Sequence, residues 1–274
     1  MGAFTADWLS LRKEADDRAR HKAVINELIA WLSEQDTSDR PLVLADIGSG
    51  TGATVHAFDV FGASHIRWHL FDHDDALLGR AAGRFGAARV VGAHAIDLAS
   101  DIEPVFAVAP RAVTASALLD LVSEHWIAAL AGRVAAAAVP FYAALSYDGR
   151  MAFNPVHGHD ARVCAAVNHH QEGDKGFGPA LGPKAAEAAI AVFRSRGYRV
   201  VEGRSDWQLS NEDAALQSAL IEGWREAALE TRRLSTQELD AWAQYRLGAV
   251  ADGVSRITVG HVDFCALPKN RTEA

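Results

Sequence analysis

The apolar run at residues 42–47 ends directly in three closely spaced glycines, Gly48, Gly50 and Gly52. An apolar run of this length that meets glycines reads as a buried strand feeding a tight turn. Glycine lacks a Cβ, so the backbone N–H groups of such a turn can approach a ligand closely, and a helix that follows adds its N-terminal donors. This strand–turn–helix unit limits the chain to a few α/β architectures.

The rest of the chain repeats the alternation. Residues 8–34 read as helix in two pieces, with Ile25, Leu28, Ile29 and Leu32 on one apolar face. Strands are predicted at 42–47, 66–71, 89–96, 112–119 and 139–145, with a turn at Asp148–Gly149 after the fifth. Helices are predicted at 51–61, 74–84 and 123–138 between them, and at 185–196, which closes at Gly197. A sixth strand covers 198–203 and extends toward Leu209. Two amphipathic helices follow, one through Leu216, Leu220 and Trp224 and one through Leu239, Trp242 and Leu247, then a last strand at 256–267. Strands and helices alternating at this spacing imply parallel βαβ units in a doubly wound sheet.

Composition narrows the function. The chain has 274 residues, 49% hydrophobic and 23% charged, which suits one α/β domain with additions. Its net charge of −8 shows no Lys/Arg surplus for a nucleic-acid face, so no nucleic-acid partner is expected. Cys164 and Cys265 read as free thiols. The charged N-terminus has no apolar core of a signal peptide, and no apolar run reaches membrane-spanning length. The expectation is a cytoplasmic protein with no membrane partner; a homodimer is left open.

The glycine series 48–53 also fits a dinucleotide-binding pattern. Asp46 separates the two readings. It stands two residues before the first glycine, where a dinucleotide fold prefers an apolar residue, and a carboxylate there suits the ammonium of an amino-acid-bearing ligand, met directly or through water. Asp46-Ile47-Gly48-Ser49-Gly50-Thr51-Gly52 resembles the first motif of the class I, Rossmann-like S-adenosylmethionine-dependent methyltransferase superfamily. Leu70-Phe71-Asp72, followed by His73, resembles its second motif, whose acidic residue holds both ribose hydroxyls. Ala95-Ile96-Asp97-Leu98 resembles its adenine site. The resemblance covers residues 41–145. It implies S-adenosyl-L-methionine as cofactor, held by Asp46, Gly48, Ser49, Gly50, Gly52, Asp72, His73, Asp97 and Leu98. It also implies a seven-stranded, mostly parallel sheet whose antiparallel last strand is 256–267. Arg18 or Arg20, after the segment Trp8–Arg12, is placed to reach the cofactor carboxylate, and Arg20 is the one chosen.

The resulting division is a single domain, 1–274. It comprises an N-terminal helical cap (1–40), a cofactor-binding half (41–145), a substrate-side loop region (146–183) and a C-terminal half (184–274) with a helical insertion at 210–253. Methyl transfer is an in-line displacement, so the protein mainly aligns and desolvates its reactants, and a base is needed only where the acceptor must lose a proton. The loop region holds His157, His159, His169 and His170, four of the chain's twelve histidines. They read as acid/base groups, as metal ligands or as a polar surface, and their spacing fits no standard metal pattern. The catalytic candidates are His170, His169, Tyr147 and Asp120, with no metal. Trp207, Trp224 and Trp242, in or just before the insertion, either wall a substrate or pack the helices. No Asn/Asp-Pro-Pro-aromatic signature of base-amine methylation follows the fourth strand. The expected activity is methyl transfer to a small organic acceptor. The alternatives are methylation of RNA or protein, a fold relative that binds cofactor without transfer, and a NAD-dependent oxidoreductase, against which Asp46 stands.

Overall fold

The computed structural model describes residues 5–34 and 42–269; Pro41, the expected lead-in to the first strand, lies outside them. In chain order the elements are α1 (Ala6–Ala19), α2 (Lys22–Glu34), β1 (Val43–Ile47), α3 (Ala53–Val60), β2 (Arg67–Asp72), α4 (Asp75–Phe85), β3 (Val90–Ala95), α5 (Glu103–Ala107), β4 (Val113–Ser116), α6 (Glu124–Ala137), β5 (Phe141–Asn154), α7 (Asp160–Gln171), α8 (Ala185–Ser195), β6 (Arg199–Arg204), β7 (Trp207–Leu209), α9 (Ala214–Glu230), α10 (Thr236–Ala251) and β8 (Arg256–Leu267). Local chemistry sets several boundaries. Thr5, Asp74 and Ser123 cap α1, α4 and α6 through their side-chain oxygens, and Ser235 with Glu238 forms a capping box on α10.

The sheet has the order β3-β2-β1-β4-β5-β8-β6, with β7 also paired to β8. Strands β1 to β5 pair in parallel, and β8 runs antiparallel to β5, β6 and β7. One face carries the apolar sides of α5, α6 and α8, the other those of α2, α3 and α4. The apolar face expected in residues 8–34 is the buried face of α2, with Val24, Ile25, Leu28 and Leu32 all sealed.

Three details differ from the sequence expectation, and one cause explains them. The last strand β8 is twelve residues long and offers a partner well beyond the parallel sheet. The fifth strand therefore does not stop at Leu145 or turn at Asp148–Gly149. It continues to Asn154 along β8, with register shifts between Ala143 and Ser146 and between Tyr147 and Met151. Leu145 and Gly149 adopt positive φ, +54° and +85°, to absorb those irregularities. The sixth strand breaks before Trp207 and resumes as β7 further along β8, so the sheet has eight strands rather than seven. Residues 146–183 are thus not one loop, since they contain the far half of β5 and all of α7.

A third apolar core lies on this extension. It joins the end of β5, β7 and α7 to the helices α9 and α10 of the expected insertion. Trp207, Trp224 and Trp242 are all buried in it. A buried ion pair fastens it: Arg246 of α10 is fully covered and donates from Nε to Asp160 Oδ1 at 3.1 Å, while Trp242 Nε1 donates to the same oxygen at 2.9 Å. Asp160 is thereby committed to α10. Removing one partner of such a pair leaves a buried charge uncompensated. Arg246→Ala is therefore expected to lower the unfolding free energy by about 3–5 kcal/mol, read by urea denaturation; a loss below about 1 kcal/mol would show that the pair is not what holds α7 to α10.

Candidate active site

A cleft of about 770 Å³ opens at the C-terminal ends of the parallel strands, where open α/β sheets bind ligands. Its floor is the loop after β1, the end of β2, residues 96–98 after β3 and residues 116–118 after β4. Leu9, Arg12, Lys13 and Asp16 of α1 form one wall, and residues 174–177 another.

The glycine loop is shaped by contact as well as by backbone freedom. Gly48, Gly50 and Gly52 have φ of +62°, +50° and +80°. A Cβ on Gly52 would lie 2.6 Å from the Phe85 ring, and one on Gly50 would lie 3.2 Å from Leu9 Cδ1. Only glycine lets α1 and α4 close on the loop in this way. The loop is tied to β2 by Gly50 N–H, which donates to Asp72 Oδ2 at 2.7 Å, and by Ser49 N–H, which donates to the Phe71 carbonyl at 3.2 Å. The other Asp72 oxygen accepts from the Asp74 amide at 3.0 Å, with His73 Nδ1 3.3 Å away. Asp72 is nearly covered yet lines the cleft. Its carboxylate is held at both oxygens and keeps lone pairs for further donors. Asp97 is exposed and accepts from the Ala99 amide at 3.0 Å, while the neighbouring Leu98 is buried and its carbonyl accepts from Trp126 Nε1 at 2.7 Å.

Behind the loop sits a second carboxylate. Asp46 is 1% exposed and accepts from Thr114 Oγ1 at 2.6 Å. Burial pushes its pKa up to about 7, against the opposing pull of the Thr114 hydrogen bond and of the Arg20 guanidinium. Arg20 is itself buried. It donates from Nη2 to Ser116 Oγ at 3.0 Å, while its Nε and Nη1 have no hydrogen-bond partner among the described residues. Ser116 faces the cleft, so Arg20 stands one side chain away from it.

No family model matches this sequence, and no curated protein is similar to it. Solved structures are. A cyclopropane-fatty-acyl-phospholipid synthase-like protein from Lactobacillus casei superimposes with a TM-score of 0.54 at 14% identity, over 96% of this chain and 94% of that one. A Bacillus halodurans protein described as a putative methyltransferase gives 0.48 at 13% identity, over 88% and 99% of the two chains. A Geobacter sulfurreducens S-adenosylmethionine-dependent methyltransferase in complex with S-adenosyl-L-homocysteine gives 0.41 at 15%, over 94% and 98%. This chain therefore has the same fold as that Lactobacillus casei protein, a mostly parallel Rossmann-like sheet with an antiparallel last strand.

In this fold the residues singled out from sequence separate into three groups. Gly48, Ser49, Gly50, Asp72, His73, Asp97 and Leu98 line the cleft. Asp46, Gly52 and Arg20 lie behind it and shape it. His169 and His170 are not brought to it: both ride on α7, where His170 Nε2 sits 2.8 Å from Glu230 Oε2 of α9 and His169 lies 3.7 Å from Glu172. The helix, which starts at Asp160, turns His170 toward α9 and leaves His169 beside Glu172 at its own C-terminal end. Among the described residues no group of three or more His, Cys, Asp or Glu side chains is arranged for a metal. Tyr147 is buried, donates its hydroxyl to Asn168 Oδ1 at 2.6 Å, and is pushed well above the usual tyrosine range by burial. Asp120 stands between two cleft-lining residues, Leu118 and Leu121. Burial pushes its pKa up to about 6, and its Oδ1 has no hydrogen-bond partner among the described residues. Lys175 and Phe177 line the cleft without having been singled out as site residues. Their only sequence signal is the turn-forming Asp174-Lys175-Gly176-Phe177-Gly178 segment, whose position depends on tertiary packing.

The Asp46 shift has a stability consequence. A carboxyl whose folded pKa is raised binds more protons folded than unfolded between about pH 4 and 7, so its contribution to stability is lost as pH rises through that window. Asp46→Asn is therefore expected to be more stable than the parent at pH 8 by roughly 1–4 kcal/mol, and equal to it below about pH 4. Denaturant titrations at the two pH values test this, and a difference that does not change with pH would show that Asp46 is ionised without cost.

Proposed function

We propose that this protein is an S-adenosylmethionine-dependent methyltransferase acting on a small organic acceptor. The observation that carries the reading is the Asp72 carboxylate, fixed at both oxygens by the glycine-loop and Asp74 amides and facing the cleft. A carboxylate so placed suits a vicinal diol, and the glycine cradle beside it suits a group that must approach the backbone. Asp97 with Ile96 and Leu98 would hold the adenine, Asp72 and His73 the ribose, and Ser116 the amino-acid end, with Arg20 and Asp46 acting on that end from behind the cleft wall. Bound S-adenosylmethionine supplies a methyl group on a cationic sulfur, activated for in-line displacement.

The remaining task of the protein is alignment and exclusion of water, which is worth on the order of 7–11 kcal/mol when complete. Leu9, Leu118, Leu121 and Phe177 give the cleft apolar walls for it. The cleft volume falls within the range of about 300–1,000 Å³ common for small-molecule sites. The acidic charge of the chain favours a small acceptor over RNA. Where the acceptor is a hydroxyl, Asp120 is the base: it is the catalytic candidate beside cleft-lining residues whose pKa lies near neutrality and whose Oδ1 has no donor among the described residues.

Two measurements follow. Calorimetry with S-adenosylhomocysteine should show Asp72→Ala binding about 2–3 kcal/mol more weakly than the parent; parent-like affinity would move the ribose contact to Asp74 or Asp75. With a hydroxyl acceptor, turnover should fall on the acid side through about pH 6 as Asp120 is protonated. Asp120→Asn should lower turnover about 10²-fold or more with cofactor affinity unchanged. A flat acid limb, or full turnover in the Asn variant, would remove Asp120 from the reaction.

A further inference from the structure

The sheet order puts β4 on the far side of β1 from β2 and β3. Asp72 and Asp97 therefore mark one end of the cleft, and the segment after β4 marks the other. The wall at that second end is built by residues 172–181, which leave α7 and fold back over the β4 segment. Phe177 forms a β-bridge with Val122, and the Leu181 amide donates to the Val122 carbonyl at 2.9 Å. The Phe177 ring meets Trp126 edge-on, with centroids 5.4 Å apart. Asp174 holds the turn, its Oδ1 accepting from the Gly176 and Gly178 amides at 2.7 and 3.1 Å.

Lys175 stands in this braced wall, half-buried and lining the cleft. Its Nζ donates to the His170 carbonyl at 3.1 Å. No carboxylate of the described residues comes within ion-pair distance of it. Glu230 acts on it only from further off, and burial lowers its pKa. Of the other cations of the cleft, Arg12 donates twice to Asp16, at 2.8 and 3.1 Å, and Lys13 pairs with Asp17, while Arg80 and Arg84 of α4 are exposed to solvent. An ammonium has three donors, and the His170 carbonyl uses one. A half-desolvated cation with spare donors and no counter-ion is completed by an anion. Beside it lie Phe177, Leu118 and Leu121, which offer apolar surface.

We propose that Lys175 anchors the anionic group of the methyl acceptor, so that the acceptor is a small organic acid whose apolar body lies against Phe177, Leu118 and Leu121. This assignment rests on the methyltransferase reading. Together with Asp120 it favours a hydroxy acid: Lys175 holds the acid group, and Asp120 takes the proton as the acceptor oxygen bonds to the methyl carbon and the sulfur–carbon bond breaks to leave a neutral thioether.

The test begins with calorimetric binding of S-adenosylhomocysteine to the parent, whose failure would remove the methyltransferase reading itself. Hydroxybenzoates and short hydroxyalkanoates are then titrated into the S-adenosylhomocysteine-saturated protein beside their neutral amides and the matching amines. At least one acid should bind tenfold or more tightly than its amide. Lys175→Ala should erase that preference, Lys175→Arg should keep most of it, and both should bind S-adenosylhomocysteine within about twofold of the parent. The assignment is overturned if no acid binds, if amides or amines bind as well as acids, or if Lys175→Ala keeps the acid preference. Weaker S-adenosylhomocysteine binding in Lys175→Ala would also overturn it, by giving Lys175 to the donor's own carboxylate.

Discussion

A short hydrogen bond from the Gly50 amide to the Asp72 carboxylate ties the glycine loop to the end of β2, and the cleft is built on those two strand ends. The loop after β1 passes through three left-handed glycines, a conformation with little intrinsic preference to hold one shape. Asp72 supplies the preference. Because its other oxygen is occupied by the Asp74 amide, the carboxylate is oriented by backbone on both sides. A side chain held in this way is ordered before a ligand arrives, so binding need not supply that ordering. The close approach of Leu9 and Phe85 to Gly50 and Gly52 then fixes how near α1 and α4 can come.

The wall formed by α1 depends on a separate set of polar contacts. Asp16 accepts from Arg12 and from Trp207 Nε1, the latter at 3.0 Å, and the Arg12 guanidinium lies 5.0 Å from the centre of the Trp207 ring. Trp207 in turn packs against His261 of β8, whose pKa burial drives down to about 3. The cleft wall is thus anchored in the third core, the part of the molecule that exists because β8 is long enough to carry β5 past the parallel sheet and to hold β7. Stability of the extension and geometry of the cleft are linked through Trp207.

What the sequence made legible follows from what is encoded locally. The glycine loop, Asp72 and the residues at 96–98 each follow an apolar run, and the strand itself delivers their carboxylates to one edge of the sheet. Arg20 and Asp46 were legible as residues of interest, although burial behind the cleft was not. The far half of β5 and the break before Trp207 were hidden, since both depend on pairing with β8, a strand distant in sequence from each of them. The histidines at 157–170 drew attention by type, but the orientation of α7 and its packing on α9 decide where they point. Lys175 shows the converse: an unremarkable lysine in a turn acquires its setting only when residues 174–178 fold against Val122 and Trp126.

The central claim is the proposal that the cleft holds S-adenosylmethionine, rather than a dinucleotide, on Asp72 and the glycine loop. Isothermal titration of the parent protein with S-adenosylhomocysteine and, separately, with NAD tests this directly. The account predicts one-to-one binding of S-adenosylhomocysteine with a Kd of roughly micromolar order and no binding of NAD. Binding of NAD without binding of S-adenosylhomocysteine would contradict it.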